Sequence, residues 1–338
     1  MTKKKIIYSG IQPTGNLHIG NYLGAVKNWV ALQNSGEYEC HFCIVDYHSL
    51  TGNISAKDRH DQIIRTAAEL LAAGIDPEKS VFYVQSHVPE HTELAWIFNT
   101  VTPIAELERM TQFKDKSQVQ AKNINAGLFT YPVLQAADIL LYHGTHVPVG
   151  VDQVQHVELT RDVARWFNKK YDKYFPETKA LLTEIPKVIS FLEPGKKMSK
   201  SLGEGHVIEL ADEPEVVEKK LKKAVTATEG GDKAPGVENL LTLLEQFSAQ
   251  GGSALGGGAS DVYNKFKESQ EDGSIRYGDL KSALSQEIAN YFADFRTKRN
   301  ELLEDHDKIA EILMSGAKKA SKTAMETMED VRKMVGIR

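Results

Sequence analysis

The first 200 residues alternate short, wholly apolar runs with stretches of helical periodicity, and few architectures satisfy that alternation. Ile6-Ile7-Tyr8, Cys43-Ile44-Val45 and Val81-Phe82-Tyr83-Val84 have no polar face, as befits strands buried on both sides of a parallel sheet. Between them Ile19, Leu23, Val26 and Val30, then Ile63, Ala67, Leu70 and Leu71, recur at helical spacing. Gly74 follows the second stretch, at a C′ position. The pattern predicts an α/β fold built on a Rossmann-like, doubly wound parallel sheet. Its ligand site lies beyond the carboxyl ends of the strands.

After about residue 205 the character changes. Strand-like runs become scarce, and amphipathic helical patterns such as Leu280, Leu284, Ile288 and Phe292 take over. The run from Gly251 to Gly258 reads as a loop. A chain of 338 residues is long enough for two cores. The expected division is an α/β domain over 1–205 and an all-α domain over 206–338.

Composition narrows the class. The chain is 41% apolar and 26% charged, and none of its apolar runs reaches the roughly 18 residues that would cross a bilayer. Its start lacks the apolar core of a signal peptide, so a cytoplasmic protein without membrane association is expected. Cys40 and Cys43 are the only cysteines and sit inside an apolar run, where packing is the expected role. No second pair exists to complete a zinc site, so no bound zinc is expected. The net charge of −5 decides nothing about nucleic acid. Residues 316–338 carry six positive groups against three negative ones, which is weak support for RNA contact.

The chemistry-bearing segments are two. The first strand ends in Ser9-Gly-Ile-Gln-Pro-Thr-Gly-Asn-Leu-His-Ile-Gly-Asn21, with a helix starting near His18. Its glycines permit a tight turn and close backbone approach to a ligand. The helix start is expected to turn free N–H groups toward an anion. His18 and Asn21 share that first turn, so both side chains can donate toward one phosphate chain. The second segment, Lys196-Lys-Met-Ser-Lys-Ser201, sets two lysines three apart among hydroxyls. A cationic clamp of this kind suits a leaving pyrophosphate.

A third stripe lies between them. Tyr131, Gln135 and Asp138 fall at i, i+4 and i+7 in the otherwise apolar run from Tyr131 to Tyr142. Polar groups buried on such a helix are costly unless partnered, which points to a ligand.

Together Leu17-His-Ile-Gly-Asn21 and Lys197-Met-Ser-Lys-Ser201 resemble the two signatures of class I aminoacyl-tRNA synthetases. The chain is similar to bacterial-type tryptophanyl-tRNA synthetases nearly end to end. The resemblance includes Cys43-Ile-Val-Asp-Tyr-His48, Glu108-Arg-Met-Thr-Gln-Phe-Lys-Asp-Lys116, Tyr131-Pro-Val-Leu-Gln-Ala-Ala-Asp138 and Val147-Pro-Val-Gly-Val-Asp-Gln-Val-Gln-His156. Two departures stand out: Asn21 ends the first signature, where class I enzymes usually have His, and Val151 replaces the Glu usual before Asp152.

The resemblance implies that L-tryptophan is activated with Mg–ATP and loaded onto tRNA(Trp). His18, Asn21, Lys197, Lys200 and Lys116 would serve the phosphates. Gln12, Pro13, Thr14, Gly20, Gly150, Val151, Asp152, Val188, Met198, Ser199 and Ser201 would complete the ATP site. Asp138 would accept the indole N–H, with Tyr131 and Gln135 toward the α-amino group and His48, Tyr8 and Gln153 around them. The resemblance also implies a homodimer and anticodon reading by the helical domain, whose last helix packs back on the catalytic domain. The catalytic domain would carry an inserted helical dimer and substrate region. The iron–sulfur cluster of some relatives is not expected, since no cysteine follows Cys43. The alternatives are a tyrosyl-tRNA synthetase, whose carboxylate holds a phenol, a small-metabolite nucleotidyltransferase, and an idle paralogue that only binds.

Overall fold

The structure, a computed structural model, describes residues 4–52, 54–110, 125–150, 153–182, 188–226, 231–248 and 260–337. It contains an all-parallel sheet of five strands, β1 (Lys5–Ile11), β2 (Tyr38–Ile44), β3 (Val81–Val84), β4 (His146–Val149) and β5 (Lys179–Leu182). Their spatial order is β3-β2-β1-β4-β5. Ile7 lies opposite Cys40 on β2 and His146 on β4, and Phe42 opposite Phe82 on β3. Strand order reverses at β1, so the switch point lies past Ile11 on one side and Val149 on the other. This is the doubly wound α/β fold.

Helices follow in chain order. The first stretch comprises α1 (Ile19–Asn21), a π-helical turn over Tyr22–Val26, and α2 (Lys27–Ser35). Next come α3 (Asp46–Ser49), α4 (Ala56–Ala72), α5 (Glu90–Asn99), α6 (Ile104–Glu108), α7 (Ala126–Leu140) and α8 (Val154–Lys170). The remainder is α9 (Pro214–Lys222), α10 (Pro235–Ser248), α11 (Asp261–Glu271), α12 (Tyr277–Tyr291), α13 (Ala293–Leu303) and α14 (His306–Val335).

The compact units do not follow chain order, and so differ from a division at residue 205. One comprises Met1–Gly15, Leu32–Thr183 and Asp305–Arg338; the other comprises Asn16–Ala31 and Glu184–Glu304. Local bonding accounts for this. Ile19 N donates to the Ile208 carbonyl at 3.0 Å, and Leu210 N to that of Leu17 at 2.9 Å, tying 16–31 to the later segment.

In the first unit the core joins Tyr8, Cys43 and Tyr83 of the sheet to apolar faces of α5, α7, α8 and α14. The long α14 buries Leu313, Ala317, Ala320, Ala324, Met328 and Val331, one helical stripe. Its Gly316 lets the helix approach β3 so closely that a Cβ there would lie 1.8 Å from the Phe82 carbonyl oxygen. Asp305 caps its start and Gly336, at φ 76°, ends it. The side chain of Asn125 caps α7, accepting from Leu128 N at 2.9 Å.

In the second unit Leu280, Leu284 and Ile288 form the buried stripe of α12, which packs on α9 and α10. Tyr22, Phe247, Tyr291 and Phe292 make an aromatic cluster of edge contacts 5.0–5.5 Å between most ring centres, and the Tyr22 and Tyr291 hydroxyls bond at 2.8 Å. Among the described residues no helix is long and apolar enough to cross a membrane.

Candidate active site

In the first unit, helix α7 carries Tyr131, Gln135 and Asp138 on one face, as the seven-residue spacing requires. Asp138 is 1% exposed. Three side chains reach it from the carboxyl ends of neighbouring strands. His48, on α3 just after β2, brings Nε2 to 2.8 Å from Oδ2. Gln85, which follows β3, donates Nε2–H to Oδ1 at 2.6 Å, and His91 in the first turn of α5 brings Nδ1 to the same oxygen at 2.6 Å. Burial alone would raise the Asp138 pKa, but the hydrogen bonds from His48 and His91 outweigh it and hold the carboxyl at about 2. A buried, ionised acceptor results.

Around it the structure gathers aromatic groups. His48 meets Tyr131 edge-on with ring centres 6.3 Å apart. The Tyr131 hydroxyl bonds His156 Nε2 at 2.9 Å. Tyr8 stacks on Tyr142 at 5.9 Å and 7°, and the Tyr142 hydroxyl lies 2.9 Å from His91 Nε2. Gln135 and Gln153 are half-buried.

Beside this centre, the segment leaving β1 opens a cleft of about 360 Å³ lined by Gln12, Thr14 and Gly15 together with Ser49, Thr51, Gln62 and Leu128. Gly15, at φ 89°, makes the turn, and its N–H is held by Gln62 Oε1 at 3.0 Å. Pro13 is buried and Gly150 half-buried. Lys116, Val151 and Asp152 lie outside the described residues.

The second unit brings His18, Gly20 and Asn21 together with the 196–201 segment. His18 is the N-cap of α1, and its Nδ1 accepts from Gly20 N at 3.1 Å and Asn21 N at 3.3 Å. Asn21 Oδ1 accepts from His18 N in return. The expectation of free backbone N–H groups at this helix start is therefore corrected. Those of Ile19 to Tyr22 are all bonded within the turn or to Ile208. The cap instead fixes the histidine tautomer, because an accepting Nδ1 leaves the proton on Nε2. Burial, then the Lys200 and Lys197 charges, lower the His18 pKa to about 4, so this ring is a neutral donor.

Lys197 pairs with Ile189 in an isolated antiparallel bridge, and Met198 N donates to Val188 O at 3.2 Å. Met198 is buried, and its sulfur lies 3.5 Å from where a Gly20 Cβ would stand. The methionine thus seats the loop on the His18 turn while its flanking lysines remain on the outside or half-buried. Ser199 Oγ accepts from Ser201 N at 3.4 Å, turning the chain at Lys200. This segment thus sets a neutral imidazole donor within electrostatic reach of two ammonium groups.

The family described as class I tRNA synthetases for tryptophan and tyrosine matches residues 1–293. The chain belongs to that family. A tryptophan–tRNA ligase from Clostridium acetobutylicum is 43% identical over 98% of this chain and 97% of its own length. The second tryptophan–tRNA ligase of Streptomyces avermitilis is also 43% identical, over 98% of this chain and 96% of its own. The tryptophanyl-tRNA synthetase of Campylobacter jejuni, solved with ADP and tryptophan, superposes with a TM-score of 0.83 at 35% identity, covering 98% of this chain and 99% of that one.

Within this class I synthetase, several residues of the buried centre escape reading from sequence. Gln85, His91, Tyr142 and His156 each bond the Tyr131–Asp138 stripe or one of its partners. One signal was available: Gln85 and His91 sit in the polar run that follows the apolar strand of Val81–Val84, where a parallel sheet holds ligands.

Proposed function

We propose that the chain condenses L-tryptophan with ATP to tryptophanyl-adenylate and pyrophosphate, then transfers the tryptophanyl group to tRNA(Trp). The observation that carries this reading is Asp138. It is a buried carboxylate with three donors already on it, and a fourth lone pair on Oδ2 suits the N–H of an indole.

In the first step the tryptophan carboxylate attacks the α-phosphorus in line and pyrophosphate leaves. No protein nucleophile is needed; positioning and charge stabilisation supply the acceleration. Asp138 orients the indole, while Tyr131, Gln135 and Gln153 serve the α-amino group and His48 and Tyr8 complete the wall. Gln12, Pro13, Thr14, Gly150, Val151, Asp152 and Val188 hold adenosine. His18 Nε2–H, Asn21, Lys197 and Lys200 take the phosphates, joined by Lys116, and Mg²⁺ arrives with ATP as part of the substrate. In the second step a terminal ribose hydroxyl of the tRNA attacks the acyl carbon of the adenylate, forming the ester as the bond to the phosphate breaks and AMP leaves.

The helical second unit reads the anticodon, and the enzyme works in the cytoplasm as a homodimer. Trp96 on α5 and Ile104 on α6, 72% and 67% exposed, offer the apolar surface that a second copy would cover. ATP–pyrophosphate exchange with each of the twenty amino acids tests the reading. Exchange driven by tryptophan alone is expected; exchange driven by tyrosine, or by none, overturns it.

A further inference from the structure

We propose that His91 and Gln85 are specificity-determining positioning residues that hold Asp138 as an acceptor aimed at the indole N–H. The inference rests on the tryptophan reading given above and concerns residues that do not touch the substrate.

A carboxylate with almost no exposed surface is expensive to keep charged. Left to itself Asp138 would take a proton, and a carboxyl O–H facing an indole N–H sets donor against donor. Oδ1 escapes this because both of its lone pairs are filled, by Gln85 Nε2 and His91 Nδ1, each at 2.6 Å. The same two bonds pin the carboxylate from the β3 and α5 side, while His48 grips Oδ2 from α3. One lone pair of Oδ2 is left, in a fixed direction.

His91 must carry its proton on Nδ1 for this to work. Its Nε2 lies 2.9 Å from the Tyr142 hydroxyl and 3.3 Å from that of Tyr83. The ionised carboxylate can only accept, which assigns the proton to Nδ1 and leaves the single lone pair of Nε2 to accept from the nearer hydroxyl, that of Tyr142. The chain of command therefore runs from Tyr142 through His91 to Asp138, all of it buried. Such outer partners fix how an inner group meets its ligand without contacting that ligand.

The test compares tryptophan with 3-(benzothiophen-3-yl)alanine, an isostere lacking the N–H, by pyrophosphate exchange. The native enzyme should prefer tryptophan in kcat/KM by roughly 10- to 150-fold, the worth of a hydrogen bond to a buried charge. His91→Leu should bring that ratio close to one, chiefly through KM for tryptophan, with KM for ATP unchanged. His91→Asn should restore it, since the amide N–H can stand where Nδ1–H stood. Gln85→Met and Tyr142→Phe should lower it several-fold, and they serve alone if His91→Leu does not fold. A native-like ratio in folded Gln85→Met and Tyr142→Phe proteins overturns the proposal. A native enzyme that ignores tryptophan, and prefers some other amino acid, overturns the tryptophan reading instead.

Discussion

Nε2 of His48 lies 2.8 Å from Oδ2 of Asp138, joining two buried side chains 90 residues apart in the sequence. The short helix α3 after β2 supplies one and helix α7 the other, so the polar centre forms only when α7 has docked. Folding and site assembly are here the same event.

Two buried groups, His18 and Asp138, contribute to acid sensitivity in separate windows. His18 drops from 6.5 to about 4 on folding, so the unfolded chain takes its proton first. The stability this group contributes is complete above about pH 6.5 and is lost as pH falls through 4. Asp138, lowered from 3.8 to about 2, contributes stability above pH 3.8 that is lost as pH falls through 2. Urea midpoints followed from pH 7 to 4 should decline in the native protein and decline less in His18→Asn, whose side chain can still cap the turn. Parallel declines would contradict the His18 assignment.

Gly316 should tolerate no side chain. With a Cβ 1.8 Å from the Phe82 carbonyl oxygen, Gly316→Ala must push α14 off β3 and cost about 2 kcal/mol or more in a chemical-denaturation series. Gly278, in the first turn of α12 with nothing within 4 Å of a Cβ, is the control. Gly278→Ala should be neutral or stabilise by up to about 1 kcal/mol. Equal effects at the two positions would show that close approach is not what Gly316 provides.

Lys200 tests how charge is handled during adenylate formation. Its ammonium lies close enough to depress the His18 pKa, ahead of Lys197. Pyrophosphate gains charge as its bond to the α-phosphorus breaks, so a cation there helps the transition state more than the ground state. Lys200→Ala should slow single-turnover activation by about 10²-fold, roughly 3 kcal/mol, and leave tryptophan binding without ATP unchanged. Lys200→Arg should rescue only in part, since a guanidinium is a planar fork rather than a compact charge. Weaker ATP binding at an unaltered activation rate would refute this role.

How much of this was legible in the chain depends on the range of the interactions. Strands β1, β2 and β3 are legible because burial on both faces leaves Ile6-Ile7-Tyr8, Cys43-Ile44 and Val81–Val84 without polar residues. The last two strands are four residues each and carry His146, Pro148 and Lys179, so no apolar run announces them. Helix α7 and its Tyr131–Asp138 face follow from local periodicity. Two partners of Asp138, Gln85 and His91, do not, since they come from 53 and 47 residues away and only their place after an apolar strand marks them. His18 shows the opposite limit. Its place at a helix start is readable, yet its own ring takes the N–H groups that the sequence leaves for an anion.

The measurement closest to the central claim is the steady-state response to tryptophan and to ATP in Asp138→Ala, with thermal melting to establish that the variant is folded. A hydrogen bond to a buried charge is worth roughly 1.5–3 kcal/mol, so kcat/KM for tryptophan should fall by about 10- to 150-fold. KM for ATP should stay near its native value, because Asp138 is assigned no contact with the nucleotide. A folded Asp138→Ala enzyme with native KM for tryptophan would contradict the account.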